Sequence, residues 1–156
     1  MKHLEHLEHL EHLEQIDDHD RQRLVEVWEA AVRATHHFLV EDDIQFFKPL
    51  VRDAYLDSVK LACSRDADGR MQGFIGTAGG TVEMLFVDPA QHGKGIGRTL
   101  LLHAIDHEGA TTVDVNEQNP QAVGFYLRMG FEVASRSERD GSGKPFPILH
   151  LRLKGS

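Results

Sequence analysis

Phe86-Val87-Asp88-Pro89-Ala90-Gln91-His92-Gly93-Lys94-Gly95-Ile96-Gly97-Arg98 joins an apolar strand to an amphipathic helix through a loop with glycine at alternate positions. Glycine lets the backbone take positive φ and approach a ligand closely, while the unpaired N–H groups that open the next helix point into the loop beside its positive dipole end. Successive amides of this kind form an anion nest that suits a diphosphate. A Walker loop would need glycine where Asp88 stands and Ser or Thr where Gly95 stands. A dinucleotide fingerprint would need glycine at Arg98 and an early βαβ unit, and this loop follows a strand meander instead.

That meander is read backwards from the loop. In Thr81 to Val87, Val82, Met84 and Phe86 alternate with Glu83, Leu85 and Val87, a mostly two-sided apolarity that marks a central strand covered on both faces. Val59, Leu61 and Cys63 alternate with more polar neighbours, Asp68-Gly69 signals a hairpin turn, and Met71 to Thr77 is the return strand. Earlier, a short strand reaches Ile16. Asp17, Asp18 and Asp20 then offer N-caps to a helix carrying Leu24, Val27, Trp28 and Ala31 at helical spacing. Ile44, Phe47, Val51 and Ala54 outline a second helix, kinked near Pro49. Downstream of the loop the pattern predicts a helix at Arg98 to His107, a strand at Thr111 to Val115 and a helix from Pro120 to Met129 stopped by Gly130. Strands at Phe131 to Ser135 and Ile148 to Leu153 complete the sheet.

The 156 residues, 40% hydrophobic and 27% charged, suit one globular domain, placed at 15–153. No apolar run is long enough to cross a bilayer. A net charge of −8 argues against nucleic-acid binding and tilts toward cationic substrates. Cys63 has no second cysteine to pair with and no signal series opens the chain, so a cytoplasmic location is expected. His3 to Glu14 repeat His-Leu-Glu four times, a three-residue period that fits neither helix nor strand. Residues 1–14 therefore read as a tag-like segment outside the domain, and 154–156 as a cloning remnant. The repeat's histidines offer adventitious affinity for Ni²⁺ or Zn²⁺, but no metal is assigned to the site.

His92 to Gly97 resembles the acetyl-CoA signature of the GNAT superfamily: Arg or Gln, two residues, Gly, one residue, then Gly or Ala. His92 departs from it. Because backbone amides do most of the binding, this departure is expected to weaken binding without abolishing it. Asn116-Glu117-Gln118-Asn119-Pro120-Gln121-Ala122-Val123-Gly124-Phe125-Tyr126-Leu127-Arg128-Met129-Gly130-Phe131 resembles the second pattern of that superfamily at every position. Read alone, Phe125-Tyr126 would be two core aromatics. The resemblance covers residues 16 to 153, and within the superfamily Ala34 to Leu39 and Gly143 to Leu149 look like the bacterial YjaB-like branch.

The resemblance implies an α/β (α+β) fold, with a mixed, mostly antiparallel sheet of six to seven strands flanked by about four helices. It also implies that acetyl-CoA lies along Leu85, Phe86 and Val87 and the loop residues His92, Gly93, Lys94, Gly95, Ile96, Gly97 and Arg98. Asn119 would cap a helix and touch the cofactor, Ala122 would leave it space, and Tyr126 would be the acid for the departing thiolate. The acetyl carbonyl would accept an N–H near Phe86 or Val87, where the strands splay at a bulge. Attack is expected to be direct, in a ternary complex, with Cys63 a packing residue. Glu83 is expected to accept the amine proton, directly or through water, and His36, Asn116 and Phe146 to contact the acceptor. The acceptor is an amine of a small molecule or a protein lysine, and exposed sheet edges favour a homodimer. The alternative is a non-catalytic acetyl-CoA-binding regulator, which an intact Tyr126 disfavours.

Overall fold

Local chemistry sets most of the element ends. In the computed structural model, which describes residues 10–156, the Asp17 carboxylate accepts the Asp20 N–H at 2.7 Å and opens α1 (Asp18–Thr35). Leu24, Val27, Trp28 and Ala31 form its buried face, as their spacing predicts. In α2 (Glu41–Leu50), Pro49 has no N–H to give, and the chain continues as a π-helical turn at Val51–Tyr55 and a 3-10 turn at Leu56–Ser58. This irregular stretch is the expected kink.

The remaining elements are β1 (Leu10–Leu13), β2 (Lys60–Arg65), β3 (Met71–Ala78), β4 (Thr81–Val87), α3 (Ile96–Glu108), β5 (Thr112–Asn116), α4 (Pro120–Arg128), β6 (Phe131–Ser137) and β7 (Ile148–Leu153). The seven strands form one sheet in the order β1-β2-β3-β4-β5-β7-β6, antiparallel except for β4 beside β5. This is the mixed, mostly antiparallel sheet that the resemblance implied, with β4 at its centre. Apolar clusters cover both faces. Leu24, Trp28, Ile44 and Phe74 belong to the α1/α2 side, and Leu100, Leu101, Tyr126 and Phe131 to the α3/α4 side.

The edge strand corrects one expectation. A domain beginning at residue 15 excludes β1, yet Leu10 to Leu13 pair in register with Ser64 to Leu61 of β2. The three-residue period that fits no single face fits a strand covered on both. On a two-residue pleat, Leu13 points into the α1/α2 cluster and Leu10 packs against the α3/α4 cluster. His3, His6 and His9 lie outside the described residues.

The centre of the sheet opens. β4 and β5 pair only at Thr81↔Thr112 and Val82↔Val113, after which β4 stays with β3 and β5 with β7. The bulge expected near Phe86 or Val87 lies further back: Gly76 pairs with Met84 and Thr77 with Val82, so Glu83 is the extra residue. Glycine is required opposite it, since a Cβ on Gly76 would come within 2.7 Å of the Val59 side chain.

Candidate active site

The loop after β4 has the conformation its glycines predict. Asp88 anchors its entry, accepting the Ala90 N–H at 3.0 Å and pairing with Arg23 at 2.9 Å. Gly93 and Gly95 take φ of 80° and 77°, a backbone that side chains rarely adopt. Thr99 N–H bonds to Gly95 O at 3.0 Å, which leaves the amides of Gly95 to Arg98 as the orphan donors of the α3 N-terminus. A Cβ on Gly95 would meet nothing within 4 Å, so the space beside that residue is open. These amides could hold an anion such as a pyrophosphate. His92, Lys94 and Arg98 are exposed; Lys94 Nζ donates to Gln91 Oε1 at 2.8 Å, and Arg98 Nη1 lies 3.6 Å from Met129 Sδ. Ile96 is buried in the α3/α4 cluster, and Gly97 faces Val87 and Phe125.

On α4, the buried Asn119 accepts the Ala122 N–H at 3.3 Å, the cap the sequence predicted. Tyr126 is buried with its ring against Phe125 and Phe131, and burial pushes its phenol well above the usual range. It lies with the α3/α4 cluster, as do Leu85 and Val87, whereas Phe86 packs with the α1/α2 cluster. The fork between β4 and β5 is where these two sides of the sheet meet.

A cleft of about 870 Å³ occupies the α1/α2 side of the fork. It brings together four residues expected from the sequence, Glu83, His36, Asn116 and Phe146. His36 is the C-cap of α1. Burial, and secondarily His37, pushes its imidazole down to about 4, and Thr35 Oγ1 lies 2.8 Å from its Nδ1. It is therefore a neutral hydrogen-bonding group and not a cation complementing the helix dipole. Phe146 stands 5.5 Å from Phe38 and 6.4 Å from Phe47, ring centre to ring centre. Burial and then the nearby Asp114 raise the Glu83 carboxyl above its ordinary range.

The sequence reading missed three residues of this cleft. Asp114, His150 and Ser137 line it from β5, β7 and β6, with His150 Nδ1 2.6 Å from Asp114 Oδ1 and Nε2 2.7 Å from Ser137 Oγ. The available signal was a polar residue inside each of Thr-Val-Asp-Val-Asn and Ile-Leu-His-Leu-Arg-Leu. Cys63 lies elsewhere, fully buried, with its thiol pushed up to about 11 by burial, as a packing residue should be. Among the described residues, His12 of β1 meets His103 and Glu108 of α3, with ligand atoms within 4.8 Å of one another, so a metal ion could be held there, far from the cleft in the fold. No helix among the described residues is long and apolar enough to cross a membrane.

Residues 33–147 match the family model of the acetyltransferase (GNAT) domain. Peptidyl-lysine N-acetyltransferase YjaB of Escherichia coli (strain K12) is 40% identical over 135 residues, 86% of this chain and 91% of that protein. The peptidyl-lysine N-acetyltransferase YiaC of the same organism is 27% identical over 81% of this chain and 86% of its own length. The solution structure of apo YjaB from Escherichia coli superposes with a TM-score of 0.83 at 37% identity, covering 94% of this chain and 97% of that one. A PaiA N-acetyltransferase of Thermoplasma acidophilum in complex with coenzyme A shares the fold, with a TM-score of 0.67 at 22% identity over 92% of this chain and 98% of its own.

Proposed function

The chain belongs to the GNAT family and transfers acetyl groups from acetyl-CoA, and on that premise we propose that its acceptor is the side-chain amine of a protein lysine. The observation that carries this reading is the acidic wall at the fork, where Glu83 and Asp114 face one cleft from neighbouring strands. A lysine suits such a site. Its aliphatic stem can lie along Phe38, Phe86 and Phe146 while its ammonium meets the carboxylates. Two relatives at 40% and 41% identity are peptidyl-lysine N-acetyltransferases, which supports the same acceptor.

In this reading the pyrophosphate of acetyl-CoA rests on the amides around His92 to Arg98, with Asn119 and Ala122 beside the cofactor. The acetyl carbonyl is polarised by an N–H near Phe86 or Val87, on the arm of β4 that has left β5. The amine attacks directly, Glu83 draws in the ammonium and accepts its proton, and Tyr126 protonates the leaving sulfur. The raised Tyr126 phenol keeps its proton at neutral pH, as a donor must. His36, Asn116 and Phe146 contact the acceptor, and a cytoplasmic homodimer is the assembly we expect.

The test is a peptide with one internal lysine, incubated with protein and acetyl-CoA and read by mass spectrometry. Acetyl on the lysine ε-amine, and none on a matched peptide with arginine there, is the expected result. Acetyl-CoA binding without modification of any peptide or small amine would favour the regulator reading.

A further inference from the structure

The cleft wall carries a hydrogen-bonded chain, Asp114–His150–Ser137, of which the proposed function uses only the charge of Asp114. Asp114 and His150 are direct cross-strand partners on β5 and β7. With the Nδ1–H of His150 donating to Asp114 at 2.6 Å, the imidazole is held in one tautomer with its Nε2 lone pair toward Ser137, whose O–H donates at 2.7 Å. Ser137 reaches this position because the β6–β7 register shifts between Val133 and Ser135. A strand without that shift would pair Ala134 with His150 and turn Arg136 toward the cleft in place of Ser137.

A lysine amine has a pKa near 10.4, so at pH 7 fewer than about one in a thousand is neutral and nucleophilic. An imidazole takes up and returns a proton near neutrality, where a carboxylate is a weak acceptor. We propose that Ser137, His150 and Asp114 form the proton relay of the acetyl transfer, and that this relay, rather than Glu83 alone, receives the ammonium proton. The proposal rests on reading the cleft as the acceptor site.

One N–H bond of the ammonium breaks as its proton passes to Ser137 Oγ, while the Ser137 hydroxyl proton passes to His150 Nε2. The amine lone pair then forms the C–N bond as the C–S bond breaks. Tyr126 gives its hydroxyl proton to the departing CoA sulfur, the adduct nitrogen gives up its excess proton and so restores the Tyr126 hydroxyl, and the imidazolium later releases its proton to water. Asp114 is a positioning residue, holding the tautomer and stabilising the imidazolium. Around the cleft His150 is faced by Glu83, Asp114, His36, Tyr55, Arg139 and Asp140, three carboxylates and one guanidinium among them.

The experiment measures kcat/KM for acetyl-CoA and a single-lysine peptide from pH 6 to 10 with wild type, His150→Gln and Asp114→Asn, with coenzyme A affinity and melting temperature as controls for folding. His150→Gln should lose about 10²- to 10³-fold at pH 7, a gap that closes toward pH 10 where the amine sheds its own proton. Asp114→Asn should fall in the same direction, and both should bind coenzyme A as wild type does. Wild-type kcat/KM in His150→Gln at pH 7, or an equal loss at every pH, overturns the relay while leaving the lysine acceptor standing. A wild type that binds coenzyme A but acetylates no lysine peptide overturns both.

Discussion

Glu83 and Asp114 are each the first residue beyond the last paired positions of β4 and β5, Val82 and Val113. The two carboxylates thus stand on the two arms of the opening, and their proximity contributes to the raised Glu83 carboxyl. Asp114→Asn should bring Glu83 part of the way back toward its usual range, the remainder being held by burial, as carboxyl NMR titration would show. Glu83→Gln should raise KM for a lysine peptide about 3- to 10-fold and leave a neutral acceptor's KM unchanged.

A branched side chain at Gly95 has room but not the backbone for it. Gly95→Val must hold φ near 77° or rearrange the α3 N-terminus, so coenzyme A affinity by calorimetry should fall at least about 10-fold. Wild-type affinity in this variant would remove the loop from the cofactor site.

His36 gives the fold a definite acid response. Its folded value is pushed down to about 4 from an ordinary 6.5, so between these limits the unfolded chain binds a proton that the folded chain refuses. Stability should therefore rise with pH across that window and be lost on acidification, by about 3 kcal/mol in all. His36→Gln should flatten that part of the stability curve measured by urea unfolding.

The edge strand is part of the core. Leu13 is 7% exposed, and Leu13→Ala should cost about 2 kcal/mol and lower the melting temperature by several degrees. A chain beginning at Gln15 should melt below one beginning at Leu10.

What the sequence made legible was local. Gly93 and Gly95 declare positive φ, Asn119-Pro120 declares a helix start, and Thr81 to Val87 declares a doubly covered strand, all within a few residues. What escaped it depended on register between distant segments. Asp114 and His150 are 36 residues apart, and only the β5–β7 pairing makes them neighbours. The bulge at Glu83 lies in the β3–β4 pairing, and Gly76 beside it comes close to Val59; no periodicity records either. The repeat misled because one strand with two covered faces accommodates a period that a single face cannot.

Chemistry at Tyr126 is where the proposed mechanism makes its most definite demand, since its hydroxyl and not its ring serves the reaction. Single turnovers with acetyl-CoA and a single-lysine peptide, following free thiol and acetyl-lysine together, compare wild type with Tyr126→Phe. The wild type should release one thiol for each acetyl-lysine formed. Tyr126→Phe should slow both together by about 10²- to 10⁴-fold, with coenzyme A affinity and melting temperature little changed. Thiol release without acetyl-lysine, or a Tyr126→Phe protein turning over at the wild-type rate while chemistry limits, would contradict the account.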